Sequence, residues 1–195
     1  MAATESTMRL ALGAKAPSFA LPDPSGQMFS LGAFEASPAL LVAFICQHCP
    51  YVKHVRSGFA SLAAEYQKKG VAVVAIASND VQQYPEDGPE GMAREAKEAG
   101  YTFPYLFDET QAVAKEYGAA CTPDFFVFDG QRRLVYRGQM DRARPGNGVP
   151  VTGEDLRKAL DAALAGSPAP QVQRPSLGCN IKWKPGHEPS YFTGA

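Results

Sequence analysis

The chain has 195 residues, 45% hydrophobic and 20% charged, with a net charge of −1. That length supports one domain with a sizeable core, and the ordinary composition excludes a disordered or fibrous chain. The near-neutral balance offers no basic surface to nucleic acid or anionic lipid, and no apolar run approaches the roughly 20 residues of a membrane helix.

The N-terminus, MAATESTMRLALGAKAPSF, lacks the basic start and long apolar centre of a secretory signal, so a cytoplasmic location is expected. Residues 1 to 17 read as a loosely held start. Phe19 to Leu31 reads as a hairpin of two short extended pieces around a Pro/Asp/Gly turn. Ala39 to Ile45 is a continuous apolar run that suits a strand covered on both faces.

Val52, Val55, Phe59, Leu62 and Tyr66 then recur at steps of three and four, which predicts a helix capped by Gly70. Val71 to Ala77 is a second buried strand. A polar, Pro-broken loop leads to a helix over 89–99, an extended piece over 103–107 and a helix over 109–117. Phe125 to Phe128 and Leu134 to Tyr136 flank Asp129-Gly130 as a hairpin, and the last helix covers 153–165. The tail, 167–195, lacks a helical period but carries Leu177, Ile181, Trp183, Tyr191 and Phe192, so it is expected to pack on the domain formed by residues 1–166. Buried strands alternating with helices imply an α/β chain with a mostly parallel sheet, made mixed by the hairpin.

Four cysteines in a chain of this length are too few for a disulfide framework. Cys46 and Cys49 stand two residues apart where a buried strand ends and a helix begins, with His48 between them. Sites in open α/β sheets lie beyond the carboxyl ends of the strands. A helix N-terminus stabilises a thiolate, the nucleophile of disulfide exchange and of peroxide reduction. Buried structural thiols and a zinc clip are the competing readings. A clip lacks the second pair of ligands that a structural site uses, so no metal is expected.

Cys46-Gln-His-Cys49 after an apolar strand resembles the C-x-x-C active site of the thioredoxin superfamily. Tyr117 to Phe128, holding Thr122-Pro123, resembles the cis-proline segment of that superfamily. The stretch FALPDPSGQMFSL is similar to the opening hairpin of its peroxiredoxin and thiol-reductase branch. The likeness spans about residues 17 to 165, and the tail stretch QRPSLGCNIKWKPGHEP looks typical of the peroxiredoxin-like, AhpC/TSA-type branch. It implies a thioredoxin fold with a central mixed β-sheet flanked by helices, an N-terminal hairpin and a C-terminal tail. Dithiol–disulfide exchange is the implied activity, with Cys46 as nucleophile, Cys49 resolving, His48 tuning the thiolate, and Thr122 and Pro123 positioning a partner's backbone.

Two departures qualify that assignment. The buried acid of thioredoxins, six positions before the first cysteine, is Leu40 here, and no carboxylate occurs between Ala36 and Ala64. Peroxiredoxins place Thr or Ser three residues before their Cys-Pro; here Cys46 stands there before Cys49-Pro50, and the matching later arginine is missing near Thr122. If Cys46 is the helix N-cap, Pro50 lies inside the helix; if Cys49 is, Pro50 takes the favoured first position. A thiol peroxidase using Cys49 and a non-catalytic metal- or partner-binding module are the alternatives. Cys121 and Cys179 are candidates for a second redox pair if the tail folds over the Thr122-Pro123 loop, or Cys179 could resolve a disulfide. The implied partners are a protein or small-molecule disulfide, or a peroxide. No organic cofactor is implied, and the sequence assigns no oligomeric state.

Overall fold

The computed structural model describes residues 3–192. In chain order the strands are β1 (Thr4–Glu5), β2 (Ala20–Pro22), β3 (Met28–Ser30), β4 (Ala39–Phe44), β5 (Ala72–Ala77), β6 (Tyr105–Phe107), β7 (Cys121–Thr122), β8 (Asp124–Asp129), β9 (Leu134–Gly138) and β10 (Leu177–Asn180). The α-helices are α1 (Pro50–Lys68), α2 (Pro89–Ala99), α3 (Ala112–Tyr117) and α4 (Glu154–Leu164).

Five strands form the central sheet in the order β6-β5-β4-β8-β9. β5 runs parallel to both β4 and β6, whereas β8 is antiparallel to β4 and β9 is antiparallel to β8. The sheet is therefore mixed, as the alternating strands and the late hairpin predict. β4 lies at its centre with all six residues buried, because side chains alternate across a pleat and both of its faces are covered. Leu41 and Ala43 enter one hydrophobic cluster with Val52, Val55, Phe59, Leu62 and Tyr66 of α1, Met92 of α2 and Leu156 and Leu160 of α4. Leu40, Val42 and Phe44 enter the other with Val113, Ala114 and Tyr117 of α3, Phe19, Leu21, Ile181 and Trp183.

Several predicted boundaries move for local reasons. Gln111 adopts a left-handed backbone, which holds the start of α3 to Ala112. The β8–β9 reversal is longer than an Asp-Gly turn. Asp129 Oδ1 accepts the amides of Gln131 and Arg133, each at 2.8 Å, and the positive φ falls on Arg132.

The two ends of the chain differ more from expectation. The start is tied down: Thr4 and Glu5 pair with Gly178 and Leu177, and Gly13 and Ala16 donate to Leu134 and Arg132 beside β9. The tail supplies the middle strand of a second sheet, β1-β10-β7. Only glycine fits at 178, since a Cβ there would stand 1.9 Å from the Thr122 carbonyl oxygen. The tail thus packs on the body, as its apolar content predicts, but as a ladder strand. Its last three residues, 193–195, lie outside the described part.

Candidate active site: three thiols around Thr122

The parallel ladder carries the chain one residue past β4, through the Ile45 amide to the Ile76 carbonyl at 3.1 Å, and then releases it into Cys46-Gln47-His48. Cys49 is the N-cap of α1 with an extended backbone, and Pro50 takes the first helical position, where its missing N–H costs nothing. Of the two possible registers, this one seats Cys49 at the positive end of the helix and leaves Cys46 in the loop before it.

Thr122 gathers the site. Its hydroxyl lies 3.3 Å from Cys46 Sγ, and the Cys49 thiol donates to its carbonyl at 3.2 Å. The Thr122–Pro123 bond is cis. Across the β7–β10 ladder, Thr122 faces Cys179 while Cys121 faces Asn180. Adjacent ladder pairs point to opposite faces, so Cys121 and Cys179 are turned away from one another. Cys179 instead joins Cys46 and Cys49 in one buried cluster. The paired role expected for Cys121 and Cys179 therefore finds no support in their placement. All four cysteines are free thiols.

The charge pattern separates the thiols. Hydrogen bonds from Cys179 and then Cys46 hold Cys49 far below the ordinary thiol range and outweigh its burial; Thr122 and the Val52 amide add to the effect. Burial pushes Cys46 well up, helped by its hydrogen bond to Cys49 and by the charge of Asp87. Cys179 is raised by its hydrogen bond to Cys49 and by burial, and Cys121 chiefly by burial.

Asp87 is the site residue that spacing in the sequence does not reveal. It comes from the Pro-broken loop before α2 and is 1% exposed. Its Oδ1 accepts the amides of Gln47 at 3.0 Å and His48 at 3.2 Å. Its Oδ2 lies 2.5 Å from His48 Nδ1 and accepts Asn79 Nδ2 at 2.7 Å. Asp87 thereby fixes the backbone between the two cysteines, and its hydrogen bond raises the pKa of His48. The His48 ring stacks on Tyr84 at 5.0 Å. The tail braces this group as well, because Asp80 N donates to the Lys182 carbonyl at 2.8 Å and Lys182 N to Asn79 Oδ1 at 2.9 Å.

Cys46, His48 and Asp87 bring a thiol, an imidazole and a carboxylate within 4.8 Å of one another, a donor set that could hold a metal ion. Two of those donors, His48 Nδ1 and Asp87 Oδ2, are already bonded to each other. Among the described residues no helix is long and apolar enough to cross a membrane.

The AhpC/TSA family model matches residues 12–137. A crystal structure of an uncharacterised conserved protein from Geobacillus kaustophilus superposes with a TM-score of 0.92 at 56% identity, covering 95% of this chain and 98% of that one. The thioredoxin domain of a thiol-disulfide oxidoreductase from Bacteroides vulgatus shares the fold, with a TM-score of 0.58 at 17% identity over 76% of this chain and 97% of its own. A candidate peroxiredoxin of Mycobacterium tuberculosis is 29% identical over 113 residues, 58% of this chain and 67% of the relative. The expected thioredoxin fold is therefore the one present.

Proposed function

The chain belongs to the AhpC/TSA family, and from that premise we propose that it is a thiol–disulfide oxidoreductase in which Cys49 attacks and Cys46 resolves. The observation that carries this reading is the seat of Cys49 as the N-cap of α1, at the positive end of the helix, where its pKa is lowered. A thiolate is the attacking species, and a helix N-terminus with hydrogen-bond donors favours it. The sequence resemblance gives attack to Cys46, but burial and the charge of Asp87 disfavour a thiolate there. Cys49 breaks a substrate disulfide, one half leaves as a thiol, and Cys46 displaces the other to close the Cys46–Cys49 disulfide. His48 and Asp87 hold the intervening backbone in place for that closure.

The test is the pH dependence of thiol modification, mapped for each cysteine of the reduced protein with a small methanethiosulfonate. Modification of Cys49 should vary little with pH across the neutral range, while that of Cys46 should rise only above the ordinary thiol range of about 8.5. The reverse order would return attack to Cys46.

A peroxidase reading is favoured by one specific observation. Cys46 is 1% exposed and Cys49 is fully covered, and the β7 edge beside them is taken by the tail. A small oxidant enters such a site more readily than a polypeptide. A hydroperoxide would convert the Cys49 thiolate to a sulfenic acid and leave as an alcohol or water, and Cys46 would then condense with it, releasing water. Consumption of hydrogen peroxide and of oxidised glutathione, set against reduction of insulin disulfides, separates the substrate classes. The burial predicts turnover with the small oxidants and little with insulin.

A further inference from the structure

We propose that Cys179, carried on the tail strand β10, is a second resolving thiol for Cys49, so that the site works with three cysteines. The inference rests on the reading of Cys49 as the attacking thiol and extends it to a residue outside the C-x-x-C pair.

Three independent features place Cys179 there. The ladder sets Cys179 opposite Thr122, whose carbonyl receives the Cys49 thiol at 3.2 Å and whose hydroxyl meets Cys46 at 3.3 Å. One residue thus meets two of the sulfurs, and its ladder partner carries the third. Gly178, the neighbour of Cys179, lets the tail backbone press against the same carbonyl, where a Cβ would stand at 1.9 Å. Cys179 also shares a single buried cluster with Cys46 and Cys49, and its nearness to Cys49 raises its pKa. A disulfide needs the two sulfurs about 2.05 Å apart with little backbone movement, and β10 packs directly against α1, which begins beside Cys49.

Chemically, Cys49 attacks a disulfide or a hydroperoxide and becomes Cys49–S–X, where X is the retained thiol half or a hydroxyl. Cys179 gives up its proton and its sulfur attacks Cys49 Sγ. The Cys49–X bond breaks as the Cys49–Cys179 bond forms, and X leaves with the bonding pair and the released proton, as a thiol or as water. The substrate supplies the two oxidising equivalents, so no further oxidant is needed. In the reduced protein the charge on Cys49 helps hold Cys179 protonated. Once Cys49 carries X that charge is gone, and Cys179 becomes the better nucleophile at the moment it is required. The product staples the tail to the start of α1 and leaves Cys46 free to displace Cys179 and regenerate the inner pair.

Peptide mapping of the oxidised protein tests this. Reduced wild type and Cys46→Ser are treated with one equivalent of hydrogen peroxide or, in a parallel reaction, of oxidised glutathione, quenched in acid, alkylated and digested with trypsin. Cys46 and Cys49 share the peptide 16–53, whereas Cys179 lies in 159–182, since Arg174 precedes a proline. In Cys46→Ser most of the oxidised protein should carry a bond between the two peptides, located by fragmentation at Cys49 and Cys179. In wild type the same bond should appear beside the internal disulfide of 16–53, a measurement that needs no substitution to fold. An internal disulfide in wild type with Cys179 fully alkylated in both proteins overturns the third thiol and leaves the Cys46–Cys49 pair intact. If neither disulfide forms, both readings fall. The cross-link without any internal disulfide would keep Cys179 as resolver and remove Cys46 from that role.

Discussion

Asp87 does at the residue scale what no single cysteine does for itself. It accepts the Gln47 and His48 amides, the Asn79 amide and the His48 ring, so four groups are ordered by one buried carboxylate. Replacing it with Asn puts an amide N–H against the Asn79 donor and removes the charge that raises Cys46. Asp87→Asn is expected to cost about 1–3 kcal/mol of stability, the range for leaving a buried polar group unsatisfied. It should also move the onset of Cys46 alkylation to lower pH, and an unchanged onset would remove Asp87 from the electrostatics of the thiols. His48 gives a complementary pH test. Its folded pKa is raised above the unfolded value of about 6.5. Its stabilising contribution is therefore complete below about 6.5 and is lost as pH rises through the folded value. The difference in unfolding free energy between wild type and His48→Gln, from urea titrations, should be larger at pH 6 than at pH 9. A difference that does not change with pH would count against the His48–Asp87 pair. The cysteines and His48 are legible in the sequence because they lie within four consecutive positions after an apolar strand. Asp87 is not, since its loop carries no periodicity and nothing marks which of its polar residues turns inward.

The elements divide the same way. α1 shows in the sequence as a stripe, and every residue of that stripe is buried. β4 and β5 show as apolar runs because both faces of the sheet are covered. β1, β7 and β10 are two to four residues long, too short for a period-2 pattern, and each exists only because the others pair with it. Gly178 is the key position among them. In Gly178→Ala the new methyl collides with backbone at Thr122, which cannot rotate away, so β10 must draw back from β7. We expect a loss of about 1–3 kcal/mol, typical of overpacking. Alkylation of Cys179 should quicken and the depression of the Cys49 pKa should shrink, since the hydrogen bond from Cys179 is its largest cause. Wild-type reactivity at both thiols in Gly178→Ala would mean that the tail strand does not set the chemistry of the site.

For the molecule as a whole, the question is whether the tail is an appendage or part of the cooperative unit. Residues 167–195 follow the last helix and carry no regular pattern, so the sequence alone suggests an extension resting on a finished domain. The packing argues for integration. Ile181 and Trp183 are buried in the same cluster as Phe44, Phe126 and Tyr117, and Lys182 and Lys184 bond to Asn79 and Gln111 beside the active-site loop. Ladder, core and polar contacts thus tie the tail to β7, to the second face of the sheet and to the Asp87 group. Fully burying a large apolar side chain contributes about 1.5–3 kcal/mol, so Trp183 and Ile181 together represent a sizeable part of the 5–15 kcal/mol that holds an ordinary domain together. Trp183 is the one tryptophan in the chain, which makes its fluorescence a direct report on tail docking. Urea unfolding followed by tryptophan emission and by far-ultraviolet circular dichroism should therefore give coincident transitions, because the tail cannot leave without exposing the core. A fluorescence transition that comes first would make the tail a separate unit that detaches from a folded body. In that case Thr122 and the covered thiols would open to larger partners before the domain unfolds, and a polypeptide disulfide would become a feasible substrate. Coincidence instead ties access to the thiols to the stability of the whole fold, which favours the small oxidants that reach a closed site.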